Sequence, residues 1–209
     1  MTTYLVPASY AEIEYIEKKS RFIGRVWPVE SEAEALACIE KMRKQHYDAT
    51  HNVYAYIIRE NGIMRYSDDG EPSGTSGQPT LNVFRQEGIQ NVCCVVTRYF
   101  GGVLLGAGGL VRAYSAAAKM ALDAAGISQM AQWKSVMLSC AYNQFERIKR
   151  LLETHEAVIE DTDFAADVTF TALLREDRVE AFGKELTELT AGGVEFEEIG
   201  ESFRGVRIK

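Results

Sequence analysis

The alternation of apolar and polar positions predicts antiparallel strands near the start of the chain. In residues 10–18, Ala11, Ile13 and Tyr15 alternate with polar or aromatic neighbours, which is typical of a half-buried strand. A second strand is predicted over 21–29. Residues 51–58 and 63–66 alternate again on either side of Asn61-Gly62, a dipeptide that favours a tight hairpin turn.

One helix is predicted between these strands, and further helices are predicted after them. Ser31 is a candidate N-cap, with Glu34 as its capping-box partner, for a helix that ends near Tyr47. Further along come a short helix over 80–86, a buried strand over 92–96 and an alanine-rich helix over 110–125 with Gly126 as its cap. The continuous branched residues of 92–96 predict the centre of a sheet.

The pattern restarts after residue 129 as strand, helix, strand, strand, helix, strand. These elements are predicted at 135–141, 144–154, 157–164, 167–174, 178–189 and 194–199. Their order is the ferredoxin-like βαββαβ arrangement. The sequence therefore predicts an α+β protein with two domains, 1–130 and 131–209, joined by a linker at 127–132.

Charge and composition narrow the function classes. The net charge is −7; residues 1–130 carry 13 basic and 14 acidic side chains, and 131–209 carry 10 and 16. This balance argues against coating of nucleic acid by the whole chain. Acidic residues where a secretory leader would be apolar, four cysteines without a C-x-x-C pair, and no long apolar run predict a cytoplasmic protein without a membrane contact.

A glycine-rich segment between the central strand and the alanine-rich helix carries the first candidate site. Glycines allow a tight backbone, and the first turn of a helix presents unpaired N–H groups that attract anions. Lys119 lies seven residues beyond Arg112, on the same stripe of the helix. The predicted anion or nucleic-acid site comprises Arg98, Tyr99, Gly101, Gly102, Gly106, Gly108, Gly109, Arg112 and Lys119. The alternative is structural: the glycines turn a corner, and Arg98 forms an ion pair within the fold.

A second polar loop is a weaker candidate. Its carboxylates and hydroxyls include Asp68, Asp69, Glu71, Ser73 and Thr75. The carboxylates would suit Mg²⁺ beside a phosphate, whereas turn sequences of this kind also bond to their own backbone. No metal-ligand spacing, nucleophile elbow or Walker motif is present, so we assign no catalytic residue, no metal and no cofactor. For His51 a capping or packing role is predicted.

Three strings of residues resemble the IMPACT family. They are His51-Asn-Val-Tyr-Ala-Tyr, Asp68-Asp-Gly-Glu-Pro-Ser-Gly-Thr-Ser-Gly, and Val95-Val-Thr-Arg-Tyr-Phe-Gly-Gly with the following Leu105-Gly-Ala-Gly-Gly-Leu-Val-Arg-Ala-Tyr. The likeness covers about residues 15–125. The second half is similar in length and pattern to the small second domain of the YigZ-like bacterial members.

This resemblance implies a fold for each domain and a function connected with translation. The first domain is expected to look like the second domain of a small-subunit ribosomal protein, with helices on one face of its sheet. The second is expected to look like the last domain of elongation factor G. Eukaryotic relatives are translational regulators active in stress that work through protein–protein contact. No catalytic residues come with the family.

Two hypotheses follow. In the first, the chain is a translation-associated binding protein that contacts RNA, the ribosome or a protein partner through the glycine-rich cationic site. In the second, it is a phosphate-handling enzyme, because the 101–109 loop resembles the nucleotide loop of GHMP kinases. We favour the binding protein, because fold analogy alone does not establish an activity. The oligomeric state is not predicted.

Overall fold

The computed structural model describes residues 3–208, which form ten strands and five α-helices. The strands are β1 (Tyr4–Pro7), β2 (Ala11–Glu17), β3 (Ser20–Pro28), β4 (His51–Ile58), β5 (Ile63–Ser67), β6 (Val92–Tyr99), β7 (Ile127–Cys140), β8 (Val158–Phe164), β9 (Val168–Arg175) and β10 (Phe196–Arg207). The helices are α1 (Glu32–Gln45), α2 (Gly77–Gln86), α3 (Ala107–Ala125), α4 (Phe145–Thr154) and α5 (Glu176–Thr190). The chain divides into a first unit, residues 4–130 with 205–208, and a second unit, 131–204 with Thr3.

The first unit is built on a five-stranded antiparallel sheet in the order β2-β3-β6-β4-β5. Strand β6 lies at its centre, and its residues from Val92 to Arg98 are all buried. The apolar run that predicted a buried strand is confirmed. The hairpin between β4 and β5 turns through Asn61 and Gly62, both at positive φ, as the dipeptide predicted.

The two faces of this sheet pack against different helices. Cys94 and Val96 lie in a core with α2 and α3, whereas Cys93 and Val95 lie in a second core with α1. The α+β class with two domains is confirmed. The expectation of helices on one face is wrong in detail, because successive residues of β6 are apolar and each face needs its own cover.

Strand and helix ends differ from the prediction where polar residues are buried. Strand β6 continues to Tyr99 and helix α3 already begins at Ala107, so the loop predicted over 97–109 shrinks to residues 100–106. Gly126 caps α3 at φ 72°, as predicted. Ser31 accepts a hydrogen bond from the Glu34 amide and caps α1.

The second unit has the ferredoxin-like topology. Its strands are ordered β10-β7-β9-β8, with β7 and β8 both antiparallel to β9. Helices α4 and α5 cover one face of the sheet through Ile148, Leu152, Phe182 and Leu186. Among residues 3–208, no helix is long and apolar enough to cross a membrane.

Residues 127–132 do not form the predicted linker. They are the first part of β7, and residues 127–130 pair with β1, a four-residue strand that the pattern did not reveal. Strand β1 is too short to show a clear alternation of apolar and polar residues. Its backbone pairing, which makes residues 127–130 part of a strand, therefore left no pattern in the sequence. A boundary at residue 130 stays a proposal about independent folding.

Candidate functional site

The end of strand β6 divides the predicted site residues between two faces of the sheet. Arg98 points to the side of α3, where it lies beside Phe22, whereas Thr97 and Tyr99 point to the side of α1. This division follows from the alternation of side chains along a strand. Tyr99 therefore does not join Arg98 in one site, as the sequence had suggested.

Arg98 is a buried ion-pair residue. It does not leave the strand for the loop, and only 5% of its surface is exposed. Its Nη1 donates to Glu71 Oε1 at 2.6 Å and its Nη2 to the Ser20 hydroxyl at 3.3 Å. The same Glu71 oxygen accepts from the Tyr114 hydroxyl at 2.8 Å; burial and this carboxylate raise the pKa of Tyr114. The Arg98 Cζ also lies over two rings, 5.4 Å from the Phe22 centroid and 5.5 Å from the Phe100 centroid.

Beside this ion pair lies a cleft of about 390 Å³, here called the Arg98 cleft. It is lined by Thr50, His51, Gly70, Glu71, Pro72, Arg98, Phe100, Leu104, Leu105, Gly106, Ala107 and Leu110. Most of the lining is apolar, and the polar groups are gathered around Glu71. His51 enters the cleft because it pairs directly opposite Arg98 across the β4–β6 ladder.

The glycines of the 100–106 loop have separate structural reasons. A Cβ on Gly101 would lie 2.0 Å from the Lys19 carbonyl carbon, so only glycine lets the loop cross the β2–β3 turn. Gly102 and Gly106 lie at positive φ, 82° and 71°, with open space around them. The turn that Gly101 crosses consists of Lys18 and Lys19, both at positive φ.

The first two turns of α3 carry the remaining predicted residues. Gly106 is its N-cap, and no side chain caps it. Arg112 lies in the second turn of α3. Its side chain folds back toward the start of the helix, where its Nη1 would lie 3.6 Å from a Cβ on Gly108. Arg112 and Gly109 border a second, smaller cleft of about 170 Å³ together with Lys18. The anion site predicted here stays a proposal.

Lys119 lies in the second half of α3 and already has partners. Its ammonium contacts Asp123 at 2.5 Å and Glu87 at 3.3 Å. Twelve residues separate it from the start of the helix, about 18 Å at 1.5 Å per residue. Lys119 therefore adds no unpaired charge to the glycine loop.

The carboxylates of the second loop do not converge. Asp68 accepts from the amides of Gly74, Ser76 and Gly77, and so organises the entry to α2. Burial alone would raise the pKa of Asp68, but these hydrogen bonds lower it. Asp69 instead accepts a hydrogen bond from the backbone N–H of Asn52 at 2.6 Å, and Glu71 accepts one from Arg98.

The arrangement does not bring the three carboxylates together around one Mg²⁺ position, the alternative that the sequence left open. Each carboxylate is bound to a different group of the protein, and among residues 3–208 no three acidic, histidine or cysteine side chains gather around a metal position. Thr75 closes a turn by donating to the Pro72 carbonyl at 2.6 Å, and Ser73 is exposed. Of the three carboxylates in this loop, only that of Glu71 lines the Arg98 cleft.

A chain of polar groups occupies the α1 side of the sheet. Buried Arg25 donates to His46 Nε2 at 2.7 Å, and His46 Nδ1 lies 2.8 Å from the Tyr99 hydroxyl, which donates to Asp48. Burial and the neighbouring Arg25 charge lower the pKa of His46. Arg25 also donates to Thr97 Oγ1 at 3.0 Å. The Tyr99 hydroxyl thus belongs to this network on the α1 side and not to the Arg98 cleft.

The structure brings together Arg98, Glu71 and Gly106, and separates them from Tyr99 and Lys119. Sequence reasoning missed His51, Phe100 and Leu104 in the lining of the cleft. A register that places His51 opposite Arg98 leaves no local signal, but apolar residues within a glycine-rich loop could have marked Phe100 and Leu104.

Comparison with known families assigns both halves of the chain. Residues 18–122 match the model described as Impact N-terminal domain, and residues 138–192 match a domain of unknown function, DUF1949. The matches agree with the resemblance carried by the three strings of residues.

Individual relatives cover almost the whole chain. IMPACT family member YvyE of Bacillus subtilis is 38% identical over 94% of this chain and 91% of its own length. IMPACT family member YigZ of Escherichia coli is 32% identical over 96% and 100%. A solved structure described as "Crystal structure of an hypothetical protein" covers 97% of this chain and 100% of its own, with 32% identity and a TM-score of 0.59.

Proposed function

This chain belongs to the IMPACT family, and we propose that it is a regulatory protein associated with translation that acts by binding a protein partner. The binding surface is the 100–106 loop and the mouth of the Arg98 cleft. The proposal assigns the chain no catalytic step.

One observation carries the proposal: the loop exposes apolar side chains in a row. Leu104 is 83% exposed, and Phe100 and Val103 are 45% and 40% exposed. They stand beside a cleft whose walls are themselves apolar. Exposed apolar residues that adjoin an apolar groove, within a polar surface, mark protein interaction sites.

The charges favour a protein over RNA as the partner. Arg98 is neutralised by Glu71 and Lys119 by Glu87 and Asp123. The whole chain carries −7, whereas nucleic-acid grip needs a cationic face. Arg112 and Lys18 remain beside the smaller cleft, and they make RNA the second outcome to be tested.

The phosphate-handling enzyme is less well supported. A nucleotide site of that kind uses a metal beside the phosphates, and Asp68, Asp69 and Glu71 are each engaged elsewhere. Its support is the uncapped N-terminus of α3 and the likeness of the 101–109 loop to a nucleotide loop.

The test is co-sedimentation of the purified protein with ribosomal particles from a translating extract, with and without ribonuclease. We expect Leu104→Asp to weaken binding about tenfold, the effect of removing one good apolar contact. Tyr47→Asp is the matched control, since Tyr47 is 86% exposed on a different loop. Binding that is lost in Arg112→Ala and falls with salt, while Leu104→Asp binds normally, would instead establish RNA as the partner. Absence of binding in both series would overturn the proposal.

A further inference from the structure

Two hydrogen-bond acceptors face each other inside the Arg98 cleft. His51 Nδ1 lies 2.7 Å from the Asp69 carbonyl oxygen. A carbonyl only accepts, so Nδ1 carries a proton; a ring with this one proton presents a lone pair at Nε2. That nitrogen lies 3.7 Å from Glu71 Oε2, beyond hydrogen-bond distance.

The second oxygen of Glu71, Oε2, belongs to a largely buried side chain that lines the cleft, and among the described residues it lacks a donor. The Glu71 side chain is 3% exposed, and its other oxygen already accepts from Arg98 and Tyr114. No hydrogen bond to Oε2 is found within residues 3–208. In a mostly apolar cleft, a carboxylate oxygen that faces a nitrogen lone pair is unfavourable unless a donor lies between them.

The walls of the cleft specify what carries this donor. Phe100, Leu104, Leu105 and Leu110 line it, so the occupant has an apolar stem that ends in donors. We propose, on the basis of the proposed protein-binding function, that the partner inserts a lysine side chain. Its ammonium donates to both Glu71 Oε2 and His51 Nε2, while its methylene stem lies against the leucines.

Other head groups fit less well. A carboxylate would face Glu71, and a hydroxyl donates only one hydrogen bond to two acceptors. A guanidinium has five donors, most of which would be buried without a partner. Arg98 is held on the opposite oxygen of Glu71, so the ammonium contacts the carboxylate directly and meets Arg98 only across it.

The probes are acetyl-Gly-Lys-Gly-amide, the same peptide with norleucine in place of lysine, and free pentylamine. Binding is followed by the amide chemical shifts of Gly70 and Gly106. We expect the lysine peptide to bind at least about tenfold more tightly than the norleucine peptide, as for loss of a charged hydrogen bond.

Two substitutions separate the two nitrogens of His51. His51→Asn keeps a donor for the Asp69 carbonyl but removes the group at Nε2, and should weaken the lysine peptide about tenfold. His51→Gln reaches the Nε2 position with its amide oxygen and should retain most of the binding. Both spectra also report whether the protein is folded.

Equal binding of the lysine and norleucine peptides, or of His51→Asn and the parent protein, would overturn the inference. Binding of pentylamine without the lysine peptide would overturn the docking of a partner lysine and leave a free amine as ligand. If no probe binds while Leu104→Asp still blocks co-sedimentation, the lysine pocket is wrong and the proposed function stands.

Discussion

Arg98 and Glu71 form an ion pair of 2.6 Å in which neither side chain is more than 6% exposed. Because both side chains are largely buried, removing one partner leaves the other charge poorly solvated. We expect Glu71→Gln to lower the free energy of unfolding by about 3–5 kcal/mol, as for other broken buried pairs. Urea unfolding measures this.

The double variant Glu71→Gln, Arg98→Met is the control for this prediction. It removes both charges, so its cost should be clearly smaller than the sum of the two single costs. Additive costs would show that the two residues do not act as a pair.

Gly101 should tolerate no side chain. The Cβ of Gly101→Ala would meet the Lys19 backbone at 2.0 Å, and we expect a loss of about 3 kcal/mol, the upper end for overpacking. Gly102→Ala is the matched control, with positive φ but open space, and should cost only about 1 kcal/mol. Similar melting temperatures for the two variants would contradict the close approach seen here.

His46 should make the stability depend on pH. Its pKa lies below the ordinary 6.5 in the folded protein, so the unfolded chain takes up a proton first as the pH falls. The stabilisation is present above about pH 6.5 and is lost as the pH falls toward the lowered value. His46→Gln should show a weaker decline in the same window, measured by urea unfolding at several pH values; an identical decline would assign it to other groups.

Asp68 should matter for folding and not for metal binding. Asp68→Ala removes the acceptor for three backbone amides at the entry to α2 and should cost about 2 kcal/mol, as for a strong helix cap. Ser73→Ala, on the exposed part of the same loop, should change stability by less than about 0.5 kcal/mol. Calorimetry should detect no Mg²⁺ binding to the parent protein that Asp68→Ala removes.

The fold was predictable to the extent that apolar spacing reports it. The buried strand at 92–96 and the βαββαβ order of the second unit are visible in the sequence because each element buries a continuous or periodic set of side chains. The extension of β6 to Tyr99 was not predictable locally. Thr97 and Arg98 are satisfied by Arg25 and Glu71, which lie far away in the sequence.

The candidate site was harder to predict for the same reason. Arg98 and the glycines were identified, but their roles depend on partners that only the tertiary fold supplies. The sequence could not show that Glu71 neutralises Arg98, or that Lys19 lies under Gly101. The sequence left open whether Arg98 belongs to an anion site or to an ion pair within the fold, and the fold pairs it with Glu71.

The adjacent cysteines of β6 offer a consequence for experiments on motion. Cys94 faces the α2 and α3 core and Cys93 faces the α1 core; burial raises the pKa of Cys94, and a hydrogen bond with Cys38 and burial raise that of Cys93. Neither thiol reacts with an alkylating reagent until its own helical layer opens. The labelling rates of the two thiols, read by mass spectrometry, therefore compare how readily each helical layer detaches from the same sheet. No engineered probe is needed, because both cysteines belong to the wild-type chain.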